Sequence, residues 1–316
     1  MSTPPDALTP AAVAALWGAV TGALLPRAAY RFSTPWEEAD GGWRTDCPAG
    51  HPVRGWLGRA RCPRCSRCAE PDAPRDTPAT AHPACTSRPG PAPASPTPPV
   101  SPPPSASPRA PAPPAASTAH DGGGAASRAT HGAGRSYAPG GVLLPLLTAV
   151  VCAALALATG IRPELAVWLA LAPVGVLLGV VDVRVRRLPD PLTLPFAAAA
   201  LALLGPAALL PEHAGDWTTA LPGALALGAG YLVLHLVNPG GMAFGDVKLA
   251  LGAGAVLGWY GWPTVMLGTF AAFLSGALYG GALVLTGRAG RKTLIPFGPF
   301  MLVGTLAGLL IGAYAA

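Results

Sequence analysis

The stretch "AVWLALAPVGVLLGVVDVRVRRLPDPLTLPFAAAALALLGPAALL", residues 166–210, decides the fold. Its first sixteen residues carry no charge. Five charged side chains then fall within nine positions, Asp182, Arg184, Arg186, Arg187 and Asp190, and a second uncharged run follows. An apolar run of about 18 to 25 residues is what a helix needs to cross roughly 30 Å of hydrocarbon. Two such runs joined by a short charged segment predict two neighbouring membrane helices with their connection at one membrane surface.

Working outward, the whole chain fits that reading. Of 316 residues, 51% are hydrophobic and 11% charged, whereas roughly a quarter of a soluble domain is charged. Cutting the apolar sequence at charges, Gly and Pro gives candidate spans at 8–25, 141–159, 164–181, 192–211, 217–237, 246–260, 262–285 and 297–315. The expected fold is an all-α integral membrane protein of about eight transmembrane helices. Between the first span and the rest lies "PGPAPASPTPPVSPPPSASPRAPAPPAAS", too poor in aliphatic side chains to offset its ordering entropy and so expected to be a disordered linker. The expected organisation is a first helix in 1–26, a cysteine-rich segment in 27–69, a Pro/Ala/Ser-rich linker in 70–139 and a multi-helix membrane domain in 140–316.

The net charge of +6 does not require nucleic acid: 13 of the 21 Lys and Arg are scattered between Arg27 and Arg135. A solvated basic region beside anionic membrane lipid explains them better. The first span has the reverse of a signal peptide's polarity, with an acid before it and Arg27 and Arg31 after it. Alternation then puts loops 182–191, 238–246 and 286–296 on the side of the basic linker. Those loops hold Arg184, Arg186, Arg187, Lys248 at an edge, Arg288, Arg291 and Lys292, against Arg162 alone opposite. The positive-inside rule makes that side cytoplasmic, which predicts a multi-pass protein of the cell membrane.

Six acids lie beyond residue 140. Glu164, Glu212 and Asp216 fall in the outer loops, where water is expected to solvate them. Asp190 stands before Pro191 at a helix start, an ordinary N-cap pattern. Asp246, after Gly245, also begins a run, and N-capping is its bland reading. Asp182 is different: it ends a run, where the helix dipole disfavours a negative charge. Either it pairs with the neighbouring arginines or it has a function, as acids inside membrane helices commonly do. Two carboxylates brought together from different helices cannot both ionise easily, so one keeps its proton and the other acts as a base. Such a pair can activate water against an amide. Independent helix-end acids, or the acids of a proton-coupled transporter, fit the spacing as well.

"VVDVRVRRLPDPLTLP" followed by "GMAFGDVKLALGAG" resembles the paired signature of the type IV prepilin peptidases, membrane aspartic peptidases. The resemblance covers 140–316 well and 8–68 loosely, with "GALLPRAAYR" and "KTLIPFGPFMLVG" as further pieces. It implies Asp182 and Asp246 as the catalytic pair, with Gly245, Lys248 and Asp190 in support. It implies cleavage of leader peptides from prepilin or pseudopilin substrates and association with pilus or secretion assembly machinery. Many members also methylate the new N-terminus with S-adenosylmethionine; no glycine-rich or acidic nucleotide signature marks that activity here. Ala243 departs from the family's G-x-G-D, and Pro26 and Arg27 stand where Asn and Val are usual. An ion-coupled transporter or an inactive assembly scaffold are the competing readings.

Of six cysteines, Cys152 lies in a span and reads as apolar filler. On the side assigned to the cytoplasm, metal binding is more common than disulfides. "CPAGHPVRGWLGRARCPRCSRC" suggests a zinc site of Cys47, Cys62 and Cys65 with His51 or Cys68 as the fourth ligand, since zinc takes mixed Cys and His tetrahedrally. Reduced thiols without metal are the alternative. His235, inside a span, is expected to be a satisfied polar group between helices.

Overall fold

The computed structural model describes residues 5–34, 42–67, 141–287 and 296–316. The linker expected at 70–139 lies outside the described residues, as do Cys68, Arg288, Arg291 and Lys292. Two compact units are distinguished, Met1–Cys62 with Ser136–Ala316, and Pro63–Arg135. Of the second, only the single-turn stretch around Pro63–Arg67 is described.

In chain order the helices are α1 (Pro5–Leu24), α2 (Pro26–Phe32), α3 (Pro63–Arg67), α4 (Leu143–Thr159), α5 (Pro163–Val185), α6 (Asp190–Ala207), α7 (Trp217–Val237), α8 (Phe244–Gly258), α9 (Trp262–Leu285) and α10 (Gly298–Ala315). There is no strand among the described residues, only an isolated bridge between Asp46 and Pro52. Each of the eight apolar runs expected from the sequence is a helix. Proline opens or nearly opens α2, α5, α6, α9 and α10. Its missing N–H is one that the first turn of a helix leaves without an intrahelical partner.

Among the described residues five helices, α5, α6, α7, α9 and α10, are long and apolar enough to cross a membrane. Counting α1 and α2 as one span bent by 46° makes six. The bend falls at Pro26, where α1 gives way to α2. α4, with 17 residues, and α8, with 15, are shorter. The long helices expose large apolar side chains on their outer faces, among them Met266, Phe270 and Leu278 of α9. Lipid hydrocarbon is the environment that tolerates such a surface. This is a multi-pass, all-α membrane protein.

Helix α8 lies at the centre of the bundle, packed by α6, α7, α9 and α10, and nearly all of its side chains are buried. Its composition, "FGDVKLALGAGAVLG", explains the position. Small residues let backbones approach where lipid supplies no hydrophobic drive for helices to associate. At the α7 crossing, a Cβ placed on Gly254 would stand 2.8 Å from the Cα of Ala224. Around this helix Trp168, Leu178, Leu204, Leu249, Leu257, Trp259, Val265 and Met301 form the core.

One sequence expectation is corrected here. Glu164 is not solvated in an outer loop; it is fully buried in the first turn of α5. One carboxylate oxygen accepts the Ala214 N–H at 3.2 Å and the Tyr260 hydroxyl at 3.5 Å. The α6–α7 connection folds back over the helix end, and no local pattern announces that. Glu212 and Asp216 are exposed, as expected.

Candidate active site

Helix α5 ends where Arg186 adopts a left-handed conformation (φ 52°, ψ 38°) and donates its N–H to the Asp182 carbonyl at 2.8 Å. Asp182 is therefore one turn from the helix end. It points inward, 4% exposed, with Oδ2 lacking a hydrogen-bond partner among the described residues. A surface ion pair with its neighbouring arginines is not its setting. Its carboxylate instead faces the backbone N–H of Gly298, at the start of α10. A Cβ on Gly298 would come within 2.6 Å of Asp182 Oδ2.

After a short turn through Leu188 and Pro189, α6 begins at Asp190. Pro189, extended at φ −71° and ψ 130°, holds the N-cap position, and no side chain caps the helix. The N-cap role expected of Asp190 is thus corrected. Its carboxylate reaches Lys248 of α8 in an ion pair of 2.6 Å. Lys248 also lies over the Phe244 ring at 4.8 Å. It binds α6 to α8 rather than standing free at the interface.

Asp246 is the third residue of α8 and not its cap. Its Oδ2 accepts the N–H of the capping residue Ala243 at 3.3 Å, a favourable place for an acid at a helix N-terminus. Ala243 sits at φ −75°, ψ 148°, which alanine adopts without strain, so the departure from glycine costs nothing in the backbone. Gly245 matters for a different contact from the one expected. A Cβ there would come 2.9 Å from Leu188 Cβ, so glycine lets α8 close on the α5–α6 turn. Leu188 Cδ1 also lies 3.4 Å from where a Cβ on Gly298 would be.

Leu188 thus lies between the residue before Asp246 and the residue facing Asp182. The two acids, 64 positions apart in sequence, share one end of the bundle and lie within Coulombic reach of each other. Asp246 is as buried as Asp182, at 4% exposure. Two residues here carry little signal in the sequence. Gly298 was one letter in a quoted motif. Tyr231, buried on α7, lies within electrostatic range of Asp246 and packs its ring on Phe273 and Phe297. A tyrosine alone in the apolar run "YLVLHLV" was the available clue. His235 donates from Nδ1 to the Met242 carbonyl at 2.8 Å, the satisfied polar group expected.

The cysteine segment is held by α2. Arg27 donates to the carbonyls of Arg54 and Arg59, at 2.9 and 3.3 Å. Arg31 donates to Gly55 O at 2.9 Å and stacks 3.9 Å over the Trp56 ring, while the Tyr30 hydroxyl donates to Asp46 O. The unusual Arg27 thus has a clear local use. His51 Nδ1 lies 3.7 Å from Cys47 Sγ and 3.6 Å from Cys62 Sγ. These three ligand atoms, all within one compact unit, lie close enough to share one ion. A tetrahedral zinc with bonds of roughly 2.0–2.3 Å separates its N and S ligands by about 3.6 Å. The donor set and spacing fit a metal ion. Cys68, the other proposed fourth ligand, lies outside the described residues.

Comparison with known proteins places the chain among leader peptidases. The Type IV leader peptidase family matches residues 165–281, from α5 to α9. The chain is 33% identical over 172 residues to a prepilin leader peptidase/N-methyltransferase of Bacillus subtilis, covering 53% of this chain and 64% of the relative. It is 36% identical over 180 residues to the protein so named in Aeromonas hydrophila, covering 54% and 58%. The chain thus spans less than two thirds of these two curated relatives. It is also 34% identical over 147 residues to leader peptidase HopD of Salmonella typhimurium, covering 45% of this chain and 88% of that relative. No solved structure matches. On the family match and the near-complete coverage of one relative, the chain belongs to the type IV leader peptidase family.

Proposed function

We propose that the chain is a membrane aspartic endopeptidase that removes leader peptides from prepilin or pseudopilin substrates, with Asp182 and Asp246 as its catalytic pair. The observation that carries this reading is the convergence of two buried acids from separate helices at one end of the bundle. One carboxylate takes a proton from water as the oxygen attacks the scissile carbonyl. The other, protonated, donates to the developing oxyanion, and the proton taken from water passes to the leaving amine. Arg184, Arg186, Arg187 and Lys248 at this end make it the cytoplasmic face of the cell membrane by the positive-inside rule. Asp190 and Lys248 hold α6 to α8 behind the site.

The cysteine segment, residues 27–69, is a small knuckle in which Cys47, His51, Cys62 and Cys65 would hold a structural zinc ion. Residues 70–139 are a linker joining it to the membrane domain of 140–316. Pilus or secretion machinery is the natural partner of such an enzyme. The relatives' names also carry an N-methyltransferase activity; for this chain, transfer of a labelled methyl group from S-adenosylmethionine to processed substrate is the separate test, and no transfer removes it.

The test of the peptidase is leader removal in membranes supplied with a prepilin. Asp182→Asn and Asp246→Asn should each abolish cleavage while the folded protein persists. Asp216→Asn, an exposed acid away from the site, should cut at the wild-type rate. Cleavage at the wild-type rate by either of the first two variants ends the two-aspartate mechanism.

A further inference from the structure

The glycines of α7 and α8 fix how these two helices lie. A Cβ on Gly258 would stand 3.1 Å from the Cα of Ala220, and one on Gly254 2.8 Å from the Cα of Ala224. One on Gly228 would press into the Leu251 side chain. At the far end the His235 ring packs on Phe244 at 5.6 Å. Partners fall along α8 as residues rise along α7, so the helices are antiparallel and their register is set. Tyr231 comes between the residues that meet Leu251 and Phe244. The register therefore places it opposite the first turn of α8, the turn that carries Asp246, and the electrostatic coupling of the two side chains agrees.

Its ring reaches toward the setting of the other acid. Tyr231 stacks on Phe273 of α9 at 5.7 Å and meets Phe297 at 5.9 Å, while Phe273 and Phe297 meet at 5.0 Å. Phe297 is the N-cap residue of α10 and directly precedes Gly298, the residue that faces Asp182. The tyrosine is thus wedged between the helix start that abuts one aspartate and the helix turn that carries the other.

Packing alone asks only for phenylalanine, as at 273 and 297. Tyr231 is 2% exposed, and among the described residues its hydroxyl has no hydrogen-bond partner. A buried hydroxyl without a partner is destabilising, so its presence points to a partner met when the site works. Asp246 is the acceptor within its electrostatic range. Asp246 Oδ2 already accepts the Ala243 N–H at 3.3 Å; one donor leaves a carboxyl group free to turn about that bond, and a second fixes its plane. A phenol is a far weaker acid than a carboxyl group, so it keeps its proton beside Asp246 and serves as a donor.

We infer that Tyr231 is a positioning residue of the peptidase: its ring, held by Phe273 and Phe297, keeps the hydroxyl where it donates to an Asp246 carboxyl oxygen and aims that group at the substrate. The inference deepens the peptidase reading above and rests on it.

The experiment uses the full chain in membranes with a prepilin. Tyr231→Phe keeps the ring and removes the hydroxyl. It should lower kcat about tenfold, with KM unchanged and the thermal unfolding midpoint no lower. A fall in kcat alone is the signature of an interaction made in the transition state, which a tyrosine serving only as packing does not give. Tyr231→Leu, which also frees Phe297, should cut no faster than Tyr231→Phe and unfold at a lower temperature. If Asp246→Asn abolishes cleavage but Tyr231→Phe keeps the wild-type kcat, or raises KM instead, the peptidase reading stands and the inference is overturned. Tyr231→Leu cutting faster than Tyr231→Phe overturns it as well. If wild type cleaves no prepilin, both fall together.

Discussion

Gly298→Ala separates position from stability at the candidate site. A Cβ on Gly298 would stand 2.6 Å from Asp182 Oδ2 and 3.2 Å from its Cγ, where ordinary contact begins at 3.4 Å. Something must therefore yield by about 0.8 Å, and the far end of a side chain yields more readily than a helix. The expected relief is rotation of the Asp182 carboxyl away from the Gly298 N–H. Displacement of a reacting group by about 1 Å costs roughly 10²-fold in rate, equivalent to about 2.7 kcal/mol of barrier. Stability should change far less: crowding costs about 1–3 kcal/mol, and replacing glycine in a helix returns up to about 1 kcal/mol. Initial rates of leader removal and thermal unfolding of the same detergent-solubilised samples measure the two effects separately. Gly276→Ala, whose new Cβ would meet its nearest neighbour, Phe297 Cε2, at 3.5 Å, is the control and should keep the wild-type rate. A folded Gly298→Ala protein cutting within threefold of wild type would refute the placement of Asp182 against α10 as the arrangement that catalyses.

Four further outcomes are expected. Gly254→Leu forces α7 from α8 and should lose several kcal/mol of stability, by overpacking beyond the usual 1–3 kcal/mol, whereas Gly230→Ala, with nothing within 4 Å of its Cβ, should unfold as wild type does. Asp190→Asn breaks the ion pair to Lys248, and because Asp190 is 60% exposed the loss should be only about 0.2–1 kcal/mol; cleavage reduced by less than about tenfold distinguishes this positioning role from the loss expected at Asp182. Purified chain should carry one zinc by elemental analysis, and Cys62→Ser should remove it; a metal-free wild type rejects the knuckle. Glu164→Leu strands the Ala214 N–H and the Tyr260 hydroxyl, costing about 1–3 kcal/mol, while Glu164→Gln keeps an acceptor and should unfold closer to wild type.

What the sequence made legible follows from what a membrane permits. A backbone in hydrocarbon must satisfy its own hydrogen bonds, so a long apolar run has few options besides helix. The expected runs 141–159, 217–237 and 262–285 accordingly match α4, α7 and α9 to within two residues. Contacts between runs are a different matter, because they depend on which faces of separate helices meet. Glu164 looked solvated since only its neighbours in sequence were visible; the Ala214 loop that covers it comes fifty residues later. Asp190 looked like a cap for the same reason, while its partner Lys248 stands on another helix. The meeting of Asp182 and Asp246 could not be read from spacing at all; the family resemblance supplied it as an expectation. The short run around 246–260 shows where length alone misleads. Fifteen residues of α8 reach only about 22 Å, too little to count as a free span. Yet the neighbours that bury it on nearly every face replace lipid contact with glycine and alanine packing. Packing also lets the first turn of so short a helix hold a buried acid: Asp246 is 4% exposed two residues after Phe244, which is half exposed.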